Sequence, residues 1–410
     1  MCNNILKKSK YCCSGCGACA AICPQKAIKL KLNSKGFYTA VINEKKCIQC
    51  GMCINVCNRY ADSIKGKDLR STSLYALQSS EQLAVKQCSS GGVAYELAVQ
   101  AIKEDKKVIG VVYNTETDRV EHIIAETKEQ LSLLKGSKYL QSNPEHAFRK
   151  ALNEAKKDKS AEYVVFGTPC QIAGLAKSCD LVGVREQFLF VEIFCHGVPT
   201  YKLWDEECRK IRKKLNIEKF NSVEFRYKRE DWHSYCLRVK TDNKVFYGER
   251  ERELFWQVYF ENILLGDSCY QCYMRKEISV ADIRLGDYWG RRFQQRKDGV
   301  SAVFACTERG EEALAEIINR GKVIQMEAGS PDEMLAAQNM EGYHQQILHD
   351  KAMNVLELED SVMKAVKEYR KKLTGQQKAK RILLAVSSII PRKIRIKLRK
   401  ANSSRMLNKK

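Results

Sequence analysis

The sequence predicts an α+β chain in three parts: a small cysteine-clamped unit at the N-terminus, a larger mixed α/β body and a basic helical tail. Three observations carry this prediction. Eight of the 19 cysteines crowd into residues 13–57. From residue 92 onward, stretches with helical apolar periodicity alternate with short strand-like runs. After Glu368 there is no Asp or Glu, while residues 370–410 hold 15 Lys and Arg.

The eight cysteines form two copies of C-x2-C-x2-C-x3-C: Cys13, Cys16, Cys19, Cys23, then Cys47, Cys50, Cys53, Cys57. This is the bacterial ferredoxin run, in which three thiolates hold one 4Fe–4S cube and the fourth reaches across to the other. The expected ligand sets are therefore crossed: Cys13, Cys16, Cys19 and Cys57 for one cube, Cys47, Cys50, Cys53 and Cys23 for its partner. Zinc wants two separated cysteine pairs and disulfides want an oxidising compartment; three cysteines in seven residues, twice, suit neither. Met1 leads into polar Cys-Asn-Asn with no apolar signal segment, so the expected setting is the reducing cytoplasm. Between the copies, Lys26 to Leu32 alternates as a strand, residues 33–36 turn, and Phe37 to Ile42 returns. Pro24 follows the first copy, but Asn58 follows the second. Cys12 rivals Cys13 for register, at a spacing one residue too long.

Roughly 350 residues remain after this unit, enough for a second domain with a sizeable core. The expected division is a 2[4Fe–4S] ferredoxin domain over 1–60, a polar linker over 61–72, a catalytic domain over 73–345 and a helical basic tail over 346–410. Within the body, the patterns predict helices over Gly92–Lys103, Pro144–Lys156 and Pro199–Leu215. They predict strands over Val108–Tyr113, Val120–Ala125, Tyr163–Gly167 and Phe188–Phe194, and hence a mixed sheet. No G-x-G-x-x-G follows a strand, which argues against a Rossmann dinucleotide site.

Four more cysteines stand where strands end or turns begin: Cys170 in Gly167-Thr168-Pro169-Cys170, Cys195 in Phe194-Cys195-His196, and the C-x2-C pair Cys269 and Cys272. Ends of neighbouring strands in an α/β sheet converge on a crevice, so these thiolates could meet around a third cube. The competing reading is a C-x2-C redox pair plus two buried cysteines acting as small hydrophobes.

Five ordered runs carry a family resemblance: Ser89-Ser90-Gly91-Gly92, Gly136-Ser137-Lys138-Tyr139-Leu140-Gln141-Ser142, Gly167-Thr168-Pro169-Cys170-Gln171-Ile172, Cys195-His196-Gly197-Val198-Pro199 and Ala281-Asp282-Ile283-Arg284-Leu285-Gly286-Asp287. Over roughly residues 10–345 the chain resembles the coenzyme F420 hydrogenase/dehydrogenase β-subunit family. The resemblance implies a flavin, usually FAD, in the second domain with a 4Fe–4S cluster beside it, and so favours the third cube. The fused ferredoxin unit and Phe225-Arg226-Tyr227-Lys228 followed by Trp232 look like the branch found among bacterial surface-polysaccharide genes. Fold alone does not transfer the substrate.

The flavin-site candidates have physical readings of their own. Ser89 to Gly92 lead into a helix, whose free N–H groups and dipole favour a pyrophosphate or the electron-rich edge of a reduced flavin; an ordinary serine cap is the alternative. Lys138 would contact phosphate and Gln141 the ring edge, unless the lysine is simply solvated. His196 is poised for proton transfer near neutrality, or only bonds locally. Asp287 holds a ribose hydroxyl or closes a turn.

The formal net charge of +22 resolves into +15 for residues 370–410 and +7 for the rest. Three oxidised cubes at about two negative charges each would leave the body near neutral. In the tail, the run Arg381 to Ile390 is apolar, Pro391 breaks it, and Arg392 to Lys400 interleaves charge with aliphatics. The run is too short to span a bilayer. Peripheral binding to an anionic leaflet, at the inner face of the membrane, is the first reading; a partner-docking helix and a disordered tail are the others. No nucleic-acid-reading motif accompanies the charge. The resulting expectation is an iron–sulfur flavin-dependent oxidoreductase that takes single electrons from a ferredoxin-like or other reduced donor. The alternatives are an electron-transfer subunit of a separate enzyme and a redox-sensing scaffold.

Overall fold

The computed structural model describes residues 3–7, 12–60, 65–338, 345–390 and 394. The N-terminal unit comprises α1 (Ala18–Ile22), β1 (Ile28–Leu32), β2 (Tyr38–Ile42) and α2 (Met52–Asn55). Its hairpin pairs Ile28 with Ile42 and Leu32 with Tyr38, the expected antiparallel return. Both short helices begin on a left-handed glycine, Gly17 at φ 77° and Gly51 at φ 78°, a conformation glycine adopts without a Cβ penalty.

The linker is partly built into the body. Residues 61–64 lie outside the described residues, but β3 (Lys67–Asp68) pairs with β12 (Ile278–Ser279), and Leu69 is fully buried. The body continues with β4 (Ser73–Ser79), α3 (Gln82–Gln87), α4 (Val93–Lys103), β5 (Lys107–Asn114), β6 (Arg119–Ala125), α5 (Lys128–Leu134), α6 (Glu145–Lys157), β7 (Tyr163–Gly167), α7 (Pro169–Val182) and β8 (Phe188–Ile193). After α8 (Tyr201–Leu215) come β9 (Ser222–Glu224), β10 (Cys236–Lys240), β11 (Val245–Glu249), α9 (Leu254–Phe260) and α10 (Asp267–Tyr270). Then follow β13 (Ile283–Asp287), β14 (Ser301–Ala305), α11 (Glu308–Asn319), β15 (Val323–Met326) and α12 (Pro331–Ala337).

Eight strands form one mixed sheet in the order β15-β4-β14-β13-β8-β7-β5-β6. Its centre, β13-β8-β7-β5, is parallel, so four strands end on the same edge. One face of the sheet shares a core with α1, α6 and α7, through Ile22, Phe148, Ile172 and Phe190. The other packs against α4, α5 and α11, through Leu97, Leu131 and Leu314. Burial on both faces explains why the parallel strands read as continuous apolar runs such as Tyr163-Val164-Val165-Phe166.

A further core gathers α8, α9 and the three-stranded sheet β11-β10-β9 around Trp204, Phe225 and Trp256. Two more helices join it: α13 (Gln346–Glu359) and α14 (Val362–Lys371) contribute Met353, Leu356, Val366 and Tyr369. The stretch from 346 therefore begins as part of the body, where the sequence reading began the tail. The sequence reading expected helices here but not the body surface they cover. The last described helix is α15 (Gly375–Ile389), and the basic run over 395–410 lies outside the described residues.

Candidate iron–sulfur and cofactor site

Burial pushes the Cys16 thiol up to about 12, reinforced by Cys57 and Cys13 beside it. Cys19 is raised likewise by burial and then by Cys16, Cys13 and Cys57. The thiols expected to share the first cube are thus mutual neighbours, with Cys57 arriving from the second motif. Cys23, Cys47, Cys50 and Cys53 line a small cavity of about 20 Å³, and Cys53 also lies near Cys19. Backbone N–H groups donate to the sulfurs, Gly15 to Cys13 at 3.4 Å, Ala27 to Cys23 at 3.3 Å and Gln49 to Cys47 at 3.4 Å. Such bonds stabilise thiolate sulfur and tune cluster potentials.

The third set converges as well. Thr168 and Gln171 form a capping box at the start of α7 with Pro169 at its first turn, a strong helix-start signal that fixes Cys170 just beyond the end of β7. Cys195 follows β8, and Cys269 sits in α10 with Cys272 after it. Burial, then Cys269, Cys170 and Cys272, raise Cys195; burial, then Cys16, Cys272 and Cys269, raise Cys170. Cys170 thereby lies within electrostatic reach both of the third set and of Cys16. Among the described residues no group of side chains is spaced to hold a single metal ion; a cube needs its thiolates farther apart.

The N-terminal unit is seated tightly on α7 and α6. A Cβ on Gly174 of α7 would come 2.8 Å from Ala18 Cβ and 3.1 Å from Cys16 Sγ, and one on Gly17 would meet Pro144 Cγ at 2.6 Å. Asn58, the departure from proline, donates from Nδ2 to the Cys170 carbonyl at 2.8 Å, and its own carbonyl accepts from the Tyr273 hydroxyl. The residue that broke the ferredoxin signature ties the cysteine run to Cys170.

At the carboxyl edge of the parallel strands lies a cleft of about 390 Å³, where open α/β sheets place ligands. Of the sequence candidates, Ser89, Ser90, Gly92, Lys138, Cys195, His196 and Asp287 line it. The Ser89 hydroxyl accepts from Ser137 N–H at 2.8 Å, and Ser90 donates to the Val300 carbonyl at 2.8 Å. Gly92 caps α4 at φ 88°, leaving the helix start against the cleft.

Two candidates stand outside the lining, and a third lines the cleft with its charge turned to the backbone. Gly91 is outside the lining; its N–H donates to Ser301 Oγ at 3.1 Å, and a Cβ there would meet the Leu77 carbonyl oxygen at 2.5 Å. Gln141 does not reach a cofactor ring edge: it accepts from Tyr38 N–H at 2.6 Å and donates to Tyr38 and Ser14 carbonyls at 3.1 and 3.0 Å. Lys138 borders the cleft, but its ammonium donates to the carbonyls of Leu133, Leu134 and Lys135 at 2.9–3.1 Å. It caps the C-terminus of α5 rather than offering its charge to a phosphate, and burial lowers it to about 7.

His196 Nε2 stands 2.6 Å from Asn262 Oδ1. An amide oxygen only accepts, so Nε2 carries the hydrogen and Nδ1 is the basic nitrogen; burial lowers the ring's pKa. Asp287 pairs through Oδ2 with Arg226 at 2.9 Å, while its Oδ1 is buried without a hydrogen-bond partner. Sequence reasoning missed Arg226 as a site residue, although the Phe225-to-Trp232 segment drew notice. Arg226 also donates to the Tyr139 hydroxyl at 3.0 Å and stacks 4.3 Å from the Tyr235 ring centroid. Tyr139, Tyr235, Tyr259 and Trp289 give the cleft an aromatic wall. Helix start, aromatic wall, orphaned Asp287 oxygen and adjacent Cys195 suit a planar redox cofactor with a polar extension.

Two family comparisons agree with this architecture. Residues 160–331 match the family described as the C terminus of the coenzyme F420 hydrogenase/dehydrogenase beta subunit, and residues 12–61 match the 4Fe-4S dicluster domain. The chain thus contains a region matching the C-terminal domain of that β-subunit family, preceded by a 4Fe-4S dicluster domain. An uncharacterized protein of Methanocaldococcus jannaschii is 29% identical over 266 residues, 56% of this chain and 69% of that one. Among solved structures, the F420-reducing [NiFe] hydrogenase complex from Methanosarcina barkeri aligns with TM-score 0.45 and 16% identity, over 71% of this chain and 96% of that chain. An electron-transfer role through iron–sulfur clusters follows from the two families. No described helix is long and apolar enough to cross a membrane.

Proposed function

We propose that this chain is an iron–sulfur flavoprotein oxidoreductase with three 4Fe–4S sites and a flavin, FAD, in the cleft. The observation that carries the reading is the position of the third cysteine set. Cys170 neighbours Cys16 on one side, and Cys195 forms part of the cleft wall on the other. The thiol sets thus run in order from the ferredoxin unit to the cleft. A flavin supplies, when bound, the conversion between single-electron traffic and hydride chemistry.

The chain's own residues would do the rest. The start of α4, with Ser89, Ser90 and Gly92, would hold the anionic part of the cofactor. Arg226 orients Asp287 through its ion pair with Oδ2, leaving Oδ1 to accept a hydroxyl. His196, its tautomer set by Asn262, would take or give a proton at Nδ1 in the cleft. The resemblance to the branch found among surface-polysaccharide genes implies a sugar nucleotide or lipid-linked glycan as the substrate class. Cys195→Ser is expected to lower iron by about four atoms per chain while the ferredoxin-type signals persist; unchanged iron would sink the third cube.

The tail supports a peripheral place at an anionic membrane face. On α15, Ile382, Leu383 and Val386 are 64%, 69% and 53% exposed, whereas Arg381 pairs with Glu261 of the body at 3.1 Å. Helical geometry puts the three apolar residues opposite Arg381, facing away from the body just before the basic run. Deleting 375–410 should abolish pelleting with phosphatidylglycerol vesicles; undiminished pelleting contradicts this placement.

A further inference from the structure

The two ferredoxin-type thiol sets differ in their surroundings. In the first set Cys16 and Cys19 are buried and Cys13 is exposed, and Gly174 brings α7 against Cys16. In the other set Cys53 is buried, Cys23 and Cys47 are half-buried and Cys50 is exposed. Beside Cys50, in the same cavity wall, Ile48 is 61% exposed.

The charge around this outward rim is one-sided. Residues 1–60 contain nine Lys and one Arg against a single acid, Glu44. Lys45 and Lys46 form the 3₁₀ turn immediately before Cys47, and Lys26, at φ 50°, follows Cys23 by three residues. On the hairpin, Lys29 pairs in register with Val41, and alternation sends both, with Lys31, to the outer face. All five lysines are exposed, and among the described residues none forms an ion pair, unlike Lys106, Lys107, Lys202 and Lys210 of the body. Two oxidised cubes would remove only about four of the positive charges.

We propose that this rim, centred on Ile48 and Cys50 and ringed by lysines, is the docking surface for an acidic one-electron carrier protein of the ferredoxin or flavodoxin kind. The proposal rests on the electron-transfer reading of the ferredoxin unit and adds where the carrier binds and what charge it bears. An exposed apolar centre within a charged rim is the anatomy of a transient protein interface, and complementary charge speeds and orients such encounters. A bilayer would meet the charge but brings no electron to the cubes.

The test uses the full-length holoprotein, purified anaerobically, with an acidic bacterial 2[4Fe–4S] ferredoxin as probe and calorimetric binding at low and raised salt. The parent should bind, more weakly as salt rises. The triple variant Lys26→Gln, Lys45→Gln, Lys46→Gln should bind about tenfold more weakly, on the scale of three exposed charge pairs, with a flatter salt dependence. Its iron and sulfide contents should be unchanged. A control triple on the far end of α6, Lys156→Gln, Lys157→Gln, Lys159→Gln, should match the parent. Absence of binding by the parent, or equal binding by parent and rim variant, overturns the proposal. So does an effect of the rim variant on phosphatidylglycerol vesicle binding alone. The electron-transfer reading fails separately, if dithionite leaves the cube absorption unbleached.

Discussion

Gln141 occupies a loop between a helix and a bridge, yet its amide satisfies one backbone N–H and two carbonyls of the ferredoxin unit. Buried amide groups left without partners are costly, about 1–3 kcal/mol each. Gln141→Ala should therefore loosen the seating of that unit by about 2 kcal/mol or more, seen as faster proteolysis near 61–72 with iron retained; unchanged cleavage would show the bonds to be dispensable. The same residue marks the limit of sequence reasoning. Cysteine spacing is legible because a cube's ligands are local in sequence, and even the crossed pairing follows from the motif. Gln141 finds its partner 103 residues away and Lys138 finds its own on a neighbouring helix end, so motif position suggested a cofactor contact for both. Asn58 looked like a blemish in the signature because its acceptor, the Cys170 carbonyl, belongs to another element.

Among elements, the parallel strands were readable because burial on both faces leaves unbroken apolar runs, and β7 and β8 end beside Cys170 and Cys195. The three-stranded sheet β11-β10-β9 was not readable: its strands are short and carry Arg238, Lys240 and Glu249. Nor was the docking of α13 and α14 onto α8 and α9. Within that core Glu207 is pushed up to about 7 by burial first and then by the neighbouring Glu253, while Lys210 pairs with Glu253. A carboxyl whose folded pKa is raised contributes stability that is fully present below its unfolded value and is lost as pH rises through the folded one. The core should therefore weaken between about pH 4.5 and 7. Glu207→Gln, which mimics the protonated acid, should match the parent at pH 5 and exceed it at pH 8 by on the order of 2 kcal/mol, measured by denaturant unfolding. A variant no more stable than the parent at pH 8 contradicts this reading.

At the scale of the molecule, the cysteine sets form a sequence in space: one set whose Cys50 lies exposed near Ile48, one whose Cys16 is buried against α7, and a third set between Cys16 and the cleft. Composition located most of the positive charge in the tail, because charge adds up wherever residues fold. It could not foretell that Gly174 and Asn58 bring the second set to the third. The central claim is that all twelve cysteines hold cubes beside a flavin cleft. Anaerobic purification of the full chain, with iron, acid-labile sulfide and flavin quantified together, tests it most directly. About twelve irons, about twelve sulfides and one flavin per chain are expected; about eight irons and no flavin would overturn the assignment.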